Sequence, residues 1–443
     1  MGLQLPLFRD EVKLVHEGRG ERARLESKYA PRMHFVPNWG KMVSYVGNKD
    51  VPGLRLYRYK EAFSYALVRH FLEYYKDDLP TTVVLDPFMG MGTTVYAAMR
   101  LGFHGVGVDK LPVAVAIAQG LTALPSLQPG SLMATFLTLK ERVEEAKPAP
   151  IADDVPIIQR AFQEDIKVRL QKWKRVLETL TSPLREVFWL LFLSILEPCS
   201  QTTKDGQFLR LRPQKAVRYP DDILQEQVAR AEEDLRMLQD AQRRERWGPA
   251  PVLIEGDARF LSSLSLPGPA GLIVTSPPYA NRYDYTRTYS LELCFGFVKN
   301  FEELKTLRHS ILRSHIESRL DADQEAPPHL AVREIEEALR EKKLNNPRIP
   351  IMLRAYFIDM ARVIREMYQA LAPGGRSVMV VDNVRFEGEH VPVDLILNDL
   401  AEQEGFQVEG VWVARFKGNS SQQMKKYGRH PVRESVLLWR KPV

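Results

Sequence analysis

Cysteine is almost absent from this 443-residue chain: Cys199 and Cys294 are its only two. That is too few for a disulfide framework or a cysteine-based zinc site, and a reducing compartment, by default the cytoplasm, is expected. Long apolar runs are missing as well. The longest, residues 187–196 with one Ser inside, is half of the roughly 20 residues a bilayer span needs and reads as a buried helix, so no membrane association is expected. The N-terminus has no basic stretch followed by an apolar one, so it does not read as a secretory signal. The nine histidines show no ligand spacing. His309 and His315 lie six apart on a polar segment with no acidic partner to complete a set, and no metal is expected. Nor does one sign of charge dominate: 62 Lys and Arg against 56 Asp and Glu leave a net charge of +6. The excess is local. Between Arg415 and Arg433 there are six basic residues and no acidic one, and between Lys204 and Arg218 five against one. Such clusters suit a polyanionic partner.

What is present is globular: 44% hydrophobic and 27% charged residues, enough chain for two or three domains at about 150 residues each. Residues 1–50 are mixed, charged and broken by Pro31 and Pro37, and read as an arm over a core. Residues 59–75 carry apolar and aromatic side chains at helical spacing. TTVVLDPF then reads as a strand, TTVYAAMRLG as a helix, HGVGVD as a strand and LPVAVAIAQGL as a helix. This alternation predicts a parallel sheet covered by helices. It stops over residues 126–249, where 159–200 and 221–246 are helical by composition and a basic, turn-prone piece separates them. Strand patterns resume at PVLIEGD and AGLIVTSPPY, break again over 301–350, and return after a helix at about 351–371 as RSVMVVD, VEGVWVA and ESVLLWR. The expected division is an arm (1–50), an α/β domain (51–125, 250–300 and 351–443), a helical insertion (126–249) and a second insertion (301–350).

Two constellations carry chemistry, each directly after a strand. In DPFMGMGTT (residues 86–94), Gly90 and Gly92 let the backbone approach a ligand, and Thr93 can cap the following helix. No Gly-Lys-Ser/Thr follows, which excludes a Walker loop, and no third Gly completes a dinucleotide fingerprint. A nucleoside-type ligand remains. Asp109, ending the next strand, can accept from ribose hydroxyls or cap a helix. In TSPPY (275–279), two prolines fix the backbone and remove two N–H donors, leaving carbonyls that can accept from an amine. Ser276 adds a hydroxyl acceptor and Tyr279 a ring for stacking a planar base. These are the requirements for holding the exocyclic amine of a flipped nucleobase.

With both in place, the chain resembles the amino-directed (N4-cytosine and N6-adenine) S-adenosylmethionine-dependent DNA methyltransferases. DPFMGMGTT looks like their cofactor motif and TSPPY like their catalytic motif. RYKEAFSYALVRHFLEYY, GVGVDKLPVAVAIAQ, EGDAR and LAPGGRSVMVVDN resemble further segments of the family, which together cover roughly half the chain. The resemblance implies an α/β Rossmann-like methyltransferase fold with a helical insertion. It implies S-adenosylmethionine at Asp86, Pro87, Phe88, Gly90, Gly92 and Thr93 (methionine end), Asp109 (ribose), and Asp257 with Ala258 (adenine). It also places a flipped base of duplex DNA at Ser276, Pro277, Pro278 and Tyr279. Ser ahead of Pro-Pro-Tyr favours N4 of cytosine. N6 of adenine, an RNA amine, and a non-catalytic DNA-binding subunit are the alternatives. A restriction or defence-system component is the partner such enzymes suggest.

Two features depart from the common pattern: the Gly loop precedes Ser-Pro-Pro-Tyr, and a long interval separates Gly92 from Ser276. Either insertion could hold the target-recognition region. Arg282 and Arg287 could grip phosphates or form a salt-bridged loop. Lys425, Lys426 and Arg429, in the basic run near the C-terminus, could contact DNA or lie on a solvated loop.

Overall fold

A computed structural model of the chain describes residues 20–205, 208–319, 325–418, 428 and 430–443. Its centre is an eight-stranded sheet. Numbered in chain order, the strands are β1 (Met33–Phe35), β2 (Val83–Asp86), β3 (His104–Asp109), β4 (Val252–Glu255), β5 (Ala270–Thr275), β6 (Leu371–Asp382), β7 (Gln407–Lys417) and β8 (Val432–Arg440). They lie in the order β1-β7-β8-β6-β5-β2-β3-β4. Strands β4, β3, β2, β5 and β6 run parallel, while β8 lies antiparallel between β6 and β7. The central strands are apolar and β-branched because both faces are covered: all of Ala270–Thr275 is buried. On one face Leu85, Ile273, Met379 and Leu437 pack against the long helix Ile349–Ala370. On the other, Val84, Val274, Val380 and Val436 meet the helix Tyr65–Tyr75.

That helix is shorter than the periodicity predicts. It starts only at Tyr65, where Ser64 caps it by accepting from the Leu67 N–H at 3.3 Å. Residues 59–63 are left outside the helix, where they become a cavity wall.

The described part of the arm is integrated into the sheet. Met33–Phe35 adds a parallel edge strand beside β7, and the helix Glu21–Tyr29 is tied down by Arg22–Glu334 (2.7 Å) and Lys28–Asp399 (2.6 Å). Residues 126–249 hold the helices Ser131–Glu145, Glu164–Leu177, Leu184–Ile195 and Pro220–Arg244. They share one apolar core with the helix Pro112–Ala123: Ile117, Phe136, Trp173 and Phe188 belong to a single buried cluster, with Phe136 and Trp173 stacked at 5.5 Å. The contact of Pro112–Ala123 with Leu184–Ile195 is close enough that a Cβ on Gly120 would sit 2.5 Å from that of Leu190. The basic piece read as turn-prone is in fact a β-hairpin, Thr202–Asp205 with Phe208–Leu211. Its first strand alternates buried with half-buried side chains and its second exposed with half-buried ones, a period-2 pattern too short to register in composition.

Cys199 and Cys294 are both free and buried. Burial pushes each thiol up to about 12, which leaves them inert. Among the described residues, no helix is long and apolar enough to cross a membrane.

Candidate active site

The carboxyl ends of β2, β3 and β5 open into one cavity of about 840 Å³, its mouth included. In open α/β sheets ligands bind at this edge. β2 ends in Asp86, and the chain turns through Pro87–Gly92 into the helix Thr93–Arg100. Gly90 and Gly92 have φ of 51° and 87°, the left-handed region where a side chain is costly. A Cβ on Gly90 would approach the Tyr59 ring to 3.2 Å, and one on Gly92 would lie 2.8 Å from Ala118 Cβ. The bare loop therefore leaves a backbone-lined cradle.

Asp109 reaches into that cradle from the end of β3. One carboxylate oxygen accepts from the Gly90 N–H and the other from the Leu111 N–H, both at 2.9 Å. Burial raises its pKa to about 6 against these stabilising bonds. Asp86, by contrast, is turned into the protein beneath the loop. It accepts from Thr275 Oγ1 at 2.7 Å and the Phe88 N–H at 3.1 Å, and burial lifts it to about 7. It braces β2 against β5 and does not line the cavity. Asp257 lines the opposite end and is held by Arg259, whose Nε and Nη2 donate to its two oxygens at 3.0 and 2.7 Å. Arg259 Nη1 in turn donates to the fully buried Asp359 at 3.0 Å.

The Ser276–Tyr279 turn follows β5 without a break. Ser276 Oγ donates to the Val380 carbonyl at 3.1 Å and lies 3.4 Å from the Tyr279 hydroxyl; with its proton spent on β6 it keeps lone-pair capacity to accept. Tyr279 lies beside a charged cluster: its hydroxyl donates to Glu434 at 3.3 Å and the Lys417 ammonium sits 5.6 Å from its ring centroid. Lys417 also pairs with Asp382 at 3.0 Å. Burial raises the Asp382 carboxyl to about 7, with Lys417 opposing the shift.

The cavity thus brings together Pro87, Phe88, Gly90, Thr93, Asp109, Asp257, Ala258, Ser276 and Pro278 from the sequence-derived set. Asp86, Gly92, Pro277 and Tyr279 stand behind or beside its wall. Glu61 and Phe63, from the family-like segment RYKEAFSYALVRHFLEYY, also line the cavity, as do Tyr285 and Ser314, which sequence reasoning missed. Glu61 accepts from the hydroxyls of Tyr283 and Tyr289, and Tyr59 stacks on Tyr289 at 4.9 Å. The aromatic density of the segment was visible, but its helical spacing hid the extended entry. Arg282 donates to Asn345 at 3.3 Å, and Arg287 pairs with Glu317 at 3.1 Å while half exposed. Lys425, Lys426 and Arg429 lie outside the described residues. The fold also gathers Asp284 and Glu317 around the buried His315, a grouping that linear spacing does not reveal; both carboxylates already face arginines, Arg308 and Arg287.

A mostly parallel sheet with one antiparallel strand, a glycine cradle at the end of β2, an acid at the end of β3 and a Pro-Pro turn after β5 define a Rossmann-like methyltransferase. The DNA methylase family profile matches residues 31–120. The chain is 32% identical over 462 residues to the type II methyltransferase M.AvaI of Nostoc sp., covering 94% of this chain and 92% of that protein. It is 29% identical over 482 residues to M.BsoBI of Geobacillus stearothermophilus, covering 95% and 92%. Among solved structures, the rRNA methyltransferase aviRa of Streptomyces viridochromogenes aligns at 11% identity and a TM-score of 0.34 over 91% of this chain and 92% of that one, a likeness that carries no argument. The chain belongs to the amino-directed DNA methyltransferases, and S-adenosylmethionine is its methyl donor. The backbone-lined cradle and the Asp109 carboxylate beside it suit the charged and hydroxylated ends of that molecule.

Proposed function

We propose that the enzyme methylates N4 of a flipped cytosine in duplex DNA. The observation that carries this reading is Ser276 at the head of the Pro-Pro-Tyr turn, its hydroxyl oriented to accept. A Ser offers one neutral acceptor where Asp or Asn would offer a stronger or paired one, and the family's N4-cytosine enzymes commonly carry Ser there.

In this reading Pro87, Phe88, Gly90 and Thr93 hold the methionine end of the cofactor, with Asp86 and Gly92 shaping the loop from behind. Asp109 holds the ribose, and Asp257 with Ala258 the adenine. Bound S-adenosylmethionine supplies an electrophilic methyl on its sulfonium. Ser276 Oγ and the Pro277 carbonyl accept the two amine hydrogens, which turns the nitrogen lone pair toward that methyl. Proline matters here because it offers a carbonyl and no competing N–H. Tyr279 stacks on the base, its ring held by Glu434 and Lys417. Transfer of that methyl would leave the electron pair on sulfur, and the amine proton held by Ser276 Oγ or the Pro277 carbonyl would pass to solvent. Since no covalent enzyme intermediate is needed, positioning does most of the work. The M.AvaI and M.BsoBI relatives are named type II methyltransferases, and we assign this enzyme a protective role beside a restriction nuclease in the cytoplasm.

Nucleoside mass spectrometry of unmethylated genomic DNA after incubation with enzyme and cofactor tests the base. N4-methylcytosine is expected, and N6-methyladenine in its place would overturn the cytosine assignment.

A further inference from the structure

We infer that the hairpin Thr202–Asp205/Phe208–Leu211 is a DNA-docking ribbon, which grips the duplex beside the extruded base. The inference rests on the proposed DNA substrate and adds the surface that meets it.

Three observations carry it. The first is position. Lys60, between the cavity residues Tyr59 and Glu61, donates to the Lys204 carbonyl, and the Arg287 guanidinium lies 5.0 Å from the Phe208 ring. Arg287 is only two residues beyond the cavity residue Tyr285. The hairpin therefore flanks the cavity on the side of the catalytic turn's continuation.

The second is anchorage. Thr202 and Lys204 point inward and are buried. The Lys204 ammonium sits between Glu292, the Tyr57 hydroxyl at 3.2 Å and the Tyr289 ring at 4.3 Å. Tyr289 is the residue on which Tyr59 stacks, so the ribbon is fastened to the layer directly behind the cavity wall.

The third is the outward face. Arg210 and Arg212 are 54% and 55% exposed, and Phe208 is 39% exposed. Both guanidiniums share a single oxygen of Asp205, at 3.7 and 3.1 Å, so one carboxylate answers two cations and a positive charge is left over. Lys204 faces inward and Arg218 is paired with Glu226 at 2.5 Å, so the outward charge of the ribbon rests on Arg210 and Arg212. A two-stranded ribbon fits the major groove of B-DNA, and arginines on its outer face reach phosphates or guanine edges.

The test is the salt dependence of binding to sheared, unmethylated genomic duplex, alongside steady-state methylation. For Arg210→Ala/Arg212→Ala the log–log salt slope should fall by about two and affinity at 0.15 M salt by roughly ten-fold or more. The KM for DNA should rise, with cofactor affinity and melting temperature unchanged. Arg210→Lys/Arg212→Lys should restore the slope, and Phe208→Ala should weaken binding while leaving the salt slope unchanged. An unchanged slope and unchanged KM for DNA in the double alanine variant, while the wild type methylates DNA normally, would overturn the ribbon and leave the proposed function standing. A wild-type enzyme that neither binds nor methylates DNA overturns both.

Discussion

Asp109 offers a quantitative check on the proposed cofactor cradle. Its two oxygens accept from Gly90 and Leu111 at 2.9 Å each, so a single carboxylate fixes both the glycine loop and the chain leaving β3. In Asp109→Asn one oxygen remains, and the amide nitrogen is set against an N–H that it cannot accept. A hydrogen bond to a charged group contributes about 1.5–3 kcal/mol, and each 1.4 kcal/mol is about ten-fold in affinity. If the loop must be held to receive the cofactor, S-adenosylmethionine should bind roughly 10- to 150-fold more weakly in a calorimetric titration at pH 8. The wild type should lose affinity as the pH falls below about 6, where the raised Asp109 carboxyl takes up a proton, and the Asn variant should be flat across the same window. Folding stability moves the other way. The native carboxyl keeps its proton to a higher pH than the unfolded chain does, so this group's contribution to stability falls as the pH rises from about 4 toward 6. An Asn variant that binds the cofactor within two-fold of wild type would refute the role given to Asp109.

Two further outcomes follow from the same geometry. Lys204→Met leaves Glu292 buried and charged with no cation, at an expected loss of about 3–5 kcal/mol in urea unfolding; adding Glu292→Gln should recover most of it, since the amide oxygen still accepts from the Tyr57 hydroxyl, now 2.6 Å from Glu292. A double variant as unstable as the single would mean that the charge is not the cause. Tyr279→Ala should lose turnover and keep cofactor affinity, because the ring stands beside the cavity and not in the cradle; loss of both would point to collapse of the turn.

The sheet was legible in the sequence because its central strands are continuous apolar, β-branched runs, the mark of burial on both faces. Both motifs were legible because glycine and proline restrict the backbone in ways few other contexts need. What stayed hidden depends on tertiary contact. The start of the helix at Tyr65 is set by the Ser64 cap and by the use of Tyr59 to Phe63 as a cavity wall, against a periodicity that favours helix throughout. The hairpin at 202–211 is amphipathic over four residues per strand, and its buried Lys204 reads as one more surface charge until Glu292 appears opposite. Asp86 and Asp109 are similar acids at the ends of neighbouring strands, and only the structure separates the one turned inward from the one facing the cradle.

The most direct test of the account is transfer of labelled methyl from S-adenosylmethionine to unmethylated genomic DNA and, separately, to total RNA, by wild-type enzyme and by Ser276→Ala. The prediction is label in DNA with the wild type, and transfer reduced at least a hundred-fold in the variant, about 2.7 kcal/mol of lost transition-state stabilisation, with cofactor affinity intact. Label confined to RNA, or undiminished transfer without the Ser276 hydroxyl, would contradict it.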